Sequence, residues 1–210
     1  MPRIRGASIS QHHELVWSEL AGAMRQLLLE RDYDSITMGH LAARTGLARN
    51  TLYNYAGDKS ALVVALTERL GRPAVERVAV VAARTADPAG ERLREIIEVV
   101  LEAFTDPVMQ LMFRPGAALP PVGEPKGPGS PFHEVVVETE RVVRDGITGG
   151  EFRQVGDVQL VVELLSGVMR SGAERIGRDP AALAVTVDAA REIIIASLER
   201  GADQDRPAPA

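Results

Sequence analysis

Residues 37–56 of this chain read TMGHLAARTGLARNTLYNYA. The stretch predicts two short helices, at residues 37–44 and 48–55, joined by a tight turn. Ala42 is small enough for the second helix to pack closely against the first, and Gly46 accepts the positive φ that the turn requires. The spacing is typical of a helix-turn-helix, although on spacing alone an ordinary helical hairpin is an open alternative.

The second of these helices exposes an unusual set of side chains. With the inward-facing Leu52 set aside, it presents Arg, Asn, Thr and Tyr side chains. Arginine suits the O6 and N7 atoms of guanine, asparagine suits adenine, and threonine offers a methyl or a hydroxyl group to a base edge. Tyrosine hydroxyls commonly bond to phosphate. Because these residues contribute little to helix formation, the pattern favours a helix that reads DNA.

Lys59 gives a second indication of the same kind. It follows Asp58, the predicted N-cap of a long helix, and the helix macrodipole disfavours a cation in a first turn by about 0.3–1 kcal/mol. A DNA phosphate docked at that end would reverse the effect. A solvated surface lysine is the alternative interpretation.

A net charge of −5 for the whole chain argues against a nucleic-acid partner, but the charge is unevenly distributed. Residues 1–60 carry seven basic and six acidic groups, whereas the other 150 residues carry 17 basic and 23 acidic groups. Between Leu41 and Gly57 there are two arginines and no acidic residue. A weakly basic N-terminal segment on an acidic body is compatible with phosphate binding.

Hydrophobic periodicity along the rest of the chain is helical, and no segment predicts a strand. We therefore expect an all-α protein of about nine helices. The predicted division is a helix-turn-helix domain at 1–57, a ligand-binding and dimerisation domain at 58–200 and a disordered tail at 201–210. Within the second part, the first helix is expected from residue 59 to the mid-80s, with a bend or an interruption at Gly71 and Pro73. Residues 114–131 are expected to form a loop. The other helices are expected at 88–104, 107–113, 131–145, 157–176 and 180–200.

The stretch at residues 33–66 resembles the N-terminal domain of the TetR (tetracycline repressor) family. The elements that match are Thr37, Leu41-Ala42, Gly46-Leu47, Thr51-Leu52-Tyr53, and Lys59 followed by Leu62. The resemblance implies a transcription regulator, commonly a repressor, that acts as a homodimer on a palindromic double-stranded DNA operator and is released by a small-molecule effector. A cytoplasmic location is the default expectation, since the sequence shows no signal peptide and no membrane-spanning run. The DNA-binding residues that it implies, together with the exposed residues of the second helix, are Thr37, Arg49, Asn50, Thr51, Tyr53, Asn54, Tyr55 and Lys59.

Three positions depart from the family pattern. Gly39 stands where a side chain that contacts DNA is common, so no readout is assigned to it. Ala56 replaces a bulky aromatic residue that supports the recognition helix. Asp32 replaces a glycine at the end of the first helix, which the hydrophobic periodicity predicts at residues 10–31. The segment before the first helix, with Arg3 and Arg5, is either a minor-groove arm or disordered.

A cluster of aromatic residues and methionines marks the central part of the chain. Methionine adapts to varied apolar shapes, and a pocket between helices is a common small-molecule site. An effector pocket for an apolar or aromatic ligand and a plain hydrophobic core are both open interpretations. Glu140 supplies a polar anchor in the first case, or a surface ion pair with Arg144 in the second. The pocket residues are Phe104, Met109, Met112, Phe113, Phe132 and Glu140.

The last two predicted helices combine apolar and small residues. Two such helices from each subunit form a four-helix bundle in many dimers, and a two-fold axis suits a protein that reads two half-sites. Burial within one subunit is the alternative. The interface residues predicted on this basis are Val161, Leu165, Val168, Gly172, Val187, Ile194 and Leu198.

Other functional classes receive little support. No nucleophile elbow, Walker loop, zinc-protease motif or dinucleotide-binding turn is present, so we expect no enzyme, catalytic residue, metal or cofactor. There is no cysteine, and no apolar run approaches the roughly 20 residues that span a bilayer. A helical adaptor that binds a protein partner without DNA is the remaining alternative.

Overall fold

The computed structural model describes residues 9–114 and 132–200, with side chains from residue 11 onward. The predicted arm with Arg3 and Arg5, nearly all of the predicted loop at 114–131 and the tail at 201–210 lie outside these residues. The described part contains nine α-helices, and its one β-bridge joins Phe152 and Glu199. The all-α prediction is thereby confirmed. The helices are α1 (Ile9–Glu30), α2 (Met38–Thr45), α3 (Arg49–Tyr55), α4 (Lys59–Ala82), α5 (Ala89–Ala103), α6 (Pro107–Gln110), α7 (His133–Thr148), α8 (Val158–Arg178) and α9 (Leu183–Leu198).

Local signals in the sequence set the ends of the short helices. Thr37 is the N-cap of α2, and Gly46 ends that helix in the left-handed conformation with a φ of 70°. Asp58 precedes α4, and its Oδ1 accepts a hydrogen bond from the backbone N–H of Ala61 at 2.7 Å. The α4 helix continues through Pro73 rather than stopping there.

The chain forms two compact units, and α4 has residues in both. The first unit holds described residues 9–70 and 106–114, and the second holds residues 71–105 and 132–200. The chain thus leaves the first unit within α4, after Leu70, and re-enters it at Asp106.

A single apolar core holds the first unit together. The α1 helix contributes Leu20, Met24 and Leu27, which are buried against Leu41 of α2 and Leu52 of α3. Side chains at this spacing lie on one face of a helix, so α1 supports both short helices at once. The start of α4 adds Leu62, Val63 and Leu66 to this core, and the segment after Asp106 adds Val108 and Leu111.

The second unit consists of the end of α4 with α5, α7, α8 and α9. The core of this unit includes Leu93, Ile97, Leu101, Val142, Val143, Ile176, Ile194 and Leu198. Arg92 is buried beside this core, where its Nη1 donates to the carbonyl of Ala82 at 2.9 Å and to Asp145 at 3.0 Å. The carboxylate of Glu151 accepts hydrogen bonds from the first two backbone N–H groups of α5, at 2.8 and 3.1 Å.

Among the described residues, no helix combines the length and the apolar character needed to cross a membrane.

Candidate nucleic-acid interface

The seven-residue helix α3 is anchored by one side chain and exposes most of the others. Leu52 is 0% exposed, whereas Tyr53 is 50% exposed. Arg49, Asn50 and Asn54 are also exposed, and Thr51 is half-buried. The helix therefore presents a polar surface whose position is fixed by a buried leucine.

The guanidinium of Arg49 points toward the beginning of α2. A Cβ atom placed on Gly39 would lie 2.6 Å from Nη2 of Arg49, so the guanidinium occupies the space that a side chain at position 39 would take. No hydrogen bond or ion pair joins Arg49 to another residue in the part of the chain that the structure describes. Its five N–H donors are available to a ligand.

Thr37 has a hydroxyl group that serves α2 and still has hydrogen-bonding capacity. Its Oγ1 accepts from the backbone N–H of His40 at 3.2 Å, and Nδ1 of His40 accepts from the backbone N–H of Thr37 at 3.3 Å. This reciprocal arrangement is a capping box with histidine in the third position. Because the threonine hydroxyl accepts here, its own hydrogen remains free to donate to a phosphate oxygen.

Lys59 is held by the protein itself. Its Nζ donates to the carbonyl of Tyr33 at 2.7 Å and to that of Asp34 at 3.4 Å, and lies 4.0 Å from the centroid of the Tyr33 ring. Burial lowers the pKa of Lys59 below its ordinary value, an effect that Asp34 partly opposes. The two carbonyls and the ring stabilise the Lys59 cation and so offset the unfavourable effect of the α4 dipole. A DNA phosphate is therefore not needed to explain a lysine at this position. One N–H remains for the predicted phosphate contact.

Tyr55 is packed against α1. Its ring makes edge-to-face contacts with Trp17, at 5.3 Å between centroids, and with His13, at 5.4 Å. Burial raises the pKa of the Tyr55 hydroxyl. Ala56 is itself buried. Tyr55 and Trp17 supply the aromatic packing between α3 and α1 that alanine at position 56 does not provide.

Two of the acidic residues near this surface, Glu30 and Asp34, are paired with arginines. Glu30 receives hydrogen bonds from Arg44 at 2.8 and 2.5 Å, and Asp34 receives one from Arg114 at 2.6 Å. Because these carboxylates are paired, they oppose an approaching phosphate backbone less than free ones do.

Comparison with known proteins identifies this domain. The family model described as "Bacterial regulatory proteins, tetR family" matches residues 20–66, which span the end of α1, both short helices and the start of α4. Residues 20–66 therefore form a domain of the tetR type. The HTH-type transcriptional regulator AlkX of Mycobacterium tuberculosis is 36% identical over 64 residues. That match covers 30% of this chain and 30% of AlkX.

Solved structures resemble the chain over most of its length. FadR from Bacillus subtilis, in complex with stearoyl-CoA, has a TM-score of 0.70 at 15% identity. The match covers 87% of this chain and 100% of FadR. SmeT, the repressor of a multidrug efflux pump of Stenotrophomonas maltophilia, in complex with triclosan, has a TM-score of 0.66 at 17% identity. The match covers 92% of this chain and 99% of SmeT. At these identities the likeness shows a shared fold.

The structure divides the predicted effector-pocket residues between the two units of the chain. Met109, Met112 and Phe113 belong to the first unit, and Met109 is fully buried there. In the second unit, Phe104 and Phe132 stack with their centroids 5.4 Å apart.

The predicted polar anchor of that pocket, Glu140, also lies in the second unit. It accepts a hydrogen bond from Arg144 at 2.8 Å, one turn away on α7. This is the ion pair that the sequence analysis left open as the alternative. The assignment of the pocket stays a prediction.

The residues predicted for the dimer interface are mostly buried inside the second unit of the chain itself. Leu165, Gly172, Val187, Ile194 and Leu198 are buried, and Val161 and Val168 are half-buried. A side chain enclosed by its own subunit offers no area to a partner, so for these five the alternative of burial within one subunit holds. The exposed large apolar side chains of the two helices are Leu160, Leu164, Val185 and Ile193.

Two further contacts of the first unit had no local signal in the sequence. Arg25 of α1 pairs with Asp106, and Arg114 pairs with Asp34, across 81 and 80 residues of chain. The Asp106-Pro107 pair predicted a helix start, but nothing nearby pointed to its partner. Both pairs hold the segment at 106–114 to the first unit.

Proposed function

We propose that this protein is a transcription regulator that binds a palindromic DNA operator as a homodimer, and that it acts as a repressor released by a small apolar or aromatic effector. The observation that carries the proposal is the exposed surface of α3. The buried Leu52 anchors this helix, whose exposed side chains are Arg49, Asn50, Tyr53 and Asn54. Arg49 has no hydrogen-bond or ion-pair partner among the described residues. These side chains bind base edges and phosphates in known complexes.

The alternative of an adaptor that binds only protein is less well supported. Protein interfaces are enriched in Tyr, Trp, Phe, Met and Arg, whereas α3 also exposes Asn50 and Asn54. The surface of α3 is polar throughout, and residues 41–57 include no carboxylate. The match to the tetR family model favours the DNA-binding proposal as well.

A gel shift and a footprint on the DNA that flanks the protein's own gene test the proposal. We expect a protected site with two half-sites and an affinity that falls steeply with salt, because phosphate contacts release counterions. Arg49→Ala should relax base preference by about 1–3 kcal/mol at one position of each half-site. Arg72→Ala removes an exposed arginine of the second unit and serves as the control. Binding that is absent or insensitive to salt would contradict the proposal.

The effector part of the proposal rests on α4, which has residues in both units. A ligand held in the second unit acts on the DNA-binding unit when it binds the two states of the protein with different affinity. FadR was solved with stearoyl-CoA, which carries a long apolar acyl chain, and SmeT with triclosan, an apolar aromatic molecule. We therefore expect an effector of this character. Operator affinity measured with and without a saturating candidate tests the switch separately from DNA binding.

The dimer in this proposal uses the exposed face of α8 and α9. Leu160 and Leu164 lie one turn apart on α8, and Val185 and Ile193 lie two turns apart on α9. Apolar side chains at such spacings form a continuous stripe along a helix. Stripes on two adjacent helices suit a four-helix bundle with a second copy of the chain.

A further inference from the structure

Gly39 has no backbone reason to be glycine. It is the second residue of α2. The glycines with a positive φ among the described residues are Gly46 and Gly150. Any L-residue can adopt the helical conformation found at position 39, and glycine in a helix is less favourable than alanine. The residue at this position therefore weakens a short helix without serving a turn.

The space above Gly39 explains the choice. The guanidinium of Arg49 reaches from the first turn of α3 over the beginning of α2, where Nη2 would lie 2.6 Å and Cζ 3.5 Å from a Cβ on residue 39. The hydroxyl oxygen of Thr37 would lie 3.5 Å from the same Cβ. A distance of 2.6 Å between a carbon and a nitrogen atom is well inside van der Waals contact, so every residue other than glycine displaces the guanidinium.

Displacement of Arg49 is the cheap response to such a substitution. The clashing atom is the far end of a long, flexible side chain, and no described residue holds it by a hydrogen bond or ion pair. Arginine has several staggered rotamers available at each of its bonds. A methyl group at position 39 should therefore redirect Arg49 and leave α2 and α3 in place.

We propose that Gly39 is a specificity-determining residue of the DNA-binding surface, because its lack of a side chain leaves the space over the beginning of α2 that the Arg49 guanidinium occupies. The inference rests on the proposed DNA-binding function. Arginine discriminates a guanine when its fork aligns with O6 and N7 together, and this alignment depends on where the guanidinium lies. Gly39 acts on base choice through Arg49, without touching DNA itself.

Four full-length proteins test this role: the wild type, Gly39→Ala, Arg49→Ala and the double variant. Each selects binding sites from a randomised double-stranded DNA library, and its affinity is then measured on the selected duplexes and on single-base variants of them. We expect the wild type to require a guanine at one position of each half-site, with a loss of about 5- to 100-fold for other bases. Gly39→Ala should relax or change the preference at that same position.

The double variant separates a positioning role from a direct one. If Gly39 acts through Arg49, adding Gly39→Ala to Arg49→Ala should leave base preference unchanged. The melting temperature of Gly39→Ala should stay at the wild-type value or rise by about 2–4 °C, since alanine is the better helix former. A purely structural role predicts the opposite, a loss of stability with base preference intact.

Gly22 provides the matched control. It lies within α1 of the same unit, and a Cβ placed on it meets no atom within 4 Å. Gly22→Ala should raise stability and keep the wild-type base preference.

The outcomes for the two proposals are distinct. A wild-type protein that selects no duplex contradicts the DNA-binding function. The role of Gly39 alone is overturned if the wild type selects a site but Gly39→Ala keeps the wild-type base preference. It is also overturned if the effects of Gly39→Ala and Arg49→Ala on base preference add in the double variant.

Discussion

Arg25 and Asp106 join two parts of the first unit that are 81 residues apart in the chain. Nε and Nη2 of Arg25 donate to Oδ2 of Asp106 at 2.9 and 2.6 Å, while Oδ1 of the same carboxylate accepts from the backbone N–H of Val108 at 2.9 Å. One aspartate thus begins α6 and ties it to α1. Since α6 directly follows a segment of the second unit, this contact fixes where the chain re-enters the DNA-binding unit.

Replacement of Asp106 should distinguish its two roles. Asparagine is an N-cap as good as aspartate, so Asp106→Asn loses the ion pair alone, worth less than about 1 kcal/mol at a partly exposed site. Asp106→Ala also loses the cap and should lower the free energy of unfolding by about 1–2 kcal/mol. Urea unfolding measures both values, and Arg25→Ala should match Asp106→Asn. Equal losses for the two Asp106 variants would contradict the capping role.

Lys59 should contribute to stability in the absence of DNA. Lys59→Met removes a hydrogen bond to the Tyr33 carbonyl and the contact with its ring, and should lower the free energy of unfolding by about 1–2 kcal/mol. Thermal unfolding of the free protein checks this, and an unchanged melting temperature would argue against it. The phosphate contact is tested with the same variant, since losing it should reduce the salt slope of DNA binding by about 1.

Tyr53 and Tyr55 should respond differently to mutation. Tyr53 is exposed on α3, so Tyr53→Phe should weaken operator binding by about 3- to 10-fold through a lost phosphate bond, with no change in stability. Tyr55→Ala removes the ring that packs on Trp17 and should lower the melting temperature by several degrees. Calorimetry and gel shifts on both variants give the comparison. Loss of stability in Tyr53→Phe would show that Tyr53 is structural.

The Glu30–Arg44 pair should make stability depend on acid. The hydrogen bond from Arg44 lowers the pKa of Glu30 below its ordinary 4.5. A carboxylate with a lowered pKa stabilises the folded state above pH 4.5, and this contribution is lost as the pH falls through its folded pKa. The melting temperature of Glu30→Gln should therefore lie below that of the wild type above pH 4.5. The difference should disappear once the pH falls below the folded pKa of Glu30. Glu68→Gln, at an exposed position of α4, controls for removal of one charge.

Leu164 should be essential to the dimer but dispensable for the fold of one subunit. It is 67% exposed, so Leu164→Glu places a charge on the proposed interface without entering the core. We expect sedimentation analysis to show monomers with wild-type helix content and weakened operator binding. Val137→Glu, at an exposed position of α7, should remain dimeric. A dimeric Leu164→Glu would move the interface elsewhere.

The helix-turn-helix was predictable because its determinants are local. A capping threonine, a glycine with positive φ and an aspartate before a long helix each act within three or four residues of themselves. The placement of Arg49 over Gly39 was not predictable, because it depends on a side-chain rotamer on one helix and an empty position on another. The ion pair between Arg25 and Asp106 likewise requires the tertiary fold.

The dimer face shows a second limit of sequence patterns. The α9 helix is apolar on most of its surface, and Ile193, Ile194 and Ile195 follow one another. Periodicity identifies the inward face only when the other faces are polar. The apolar pattern therefore predicted Val187 and Ile194 for the interface, whereas the structure buries these two and exposes Val185 and Ile193.

Pro73 interrupts the backbone hydrogen bonding of α4, the helix that has residues in both units. Proline has no N–H, so the hydrogen bond that residue 73 of a regular helix donates to the carbonyl of residue 69 is missing from α4. This gap lies beside Leu70, where the first compact unit ends. A helix transmits cooperativity through its ladder of hydrogen bonds, so local unfolding that starts on one side should stop near this point. Each unit can then open and close on its own, and amides on the two sides of Pro73 should exchange their hydrogens at independent rates.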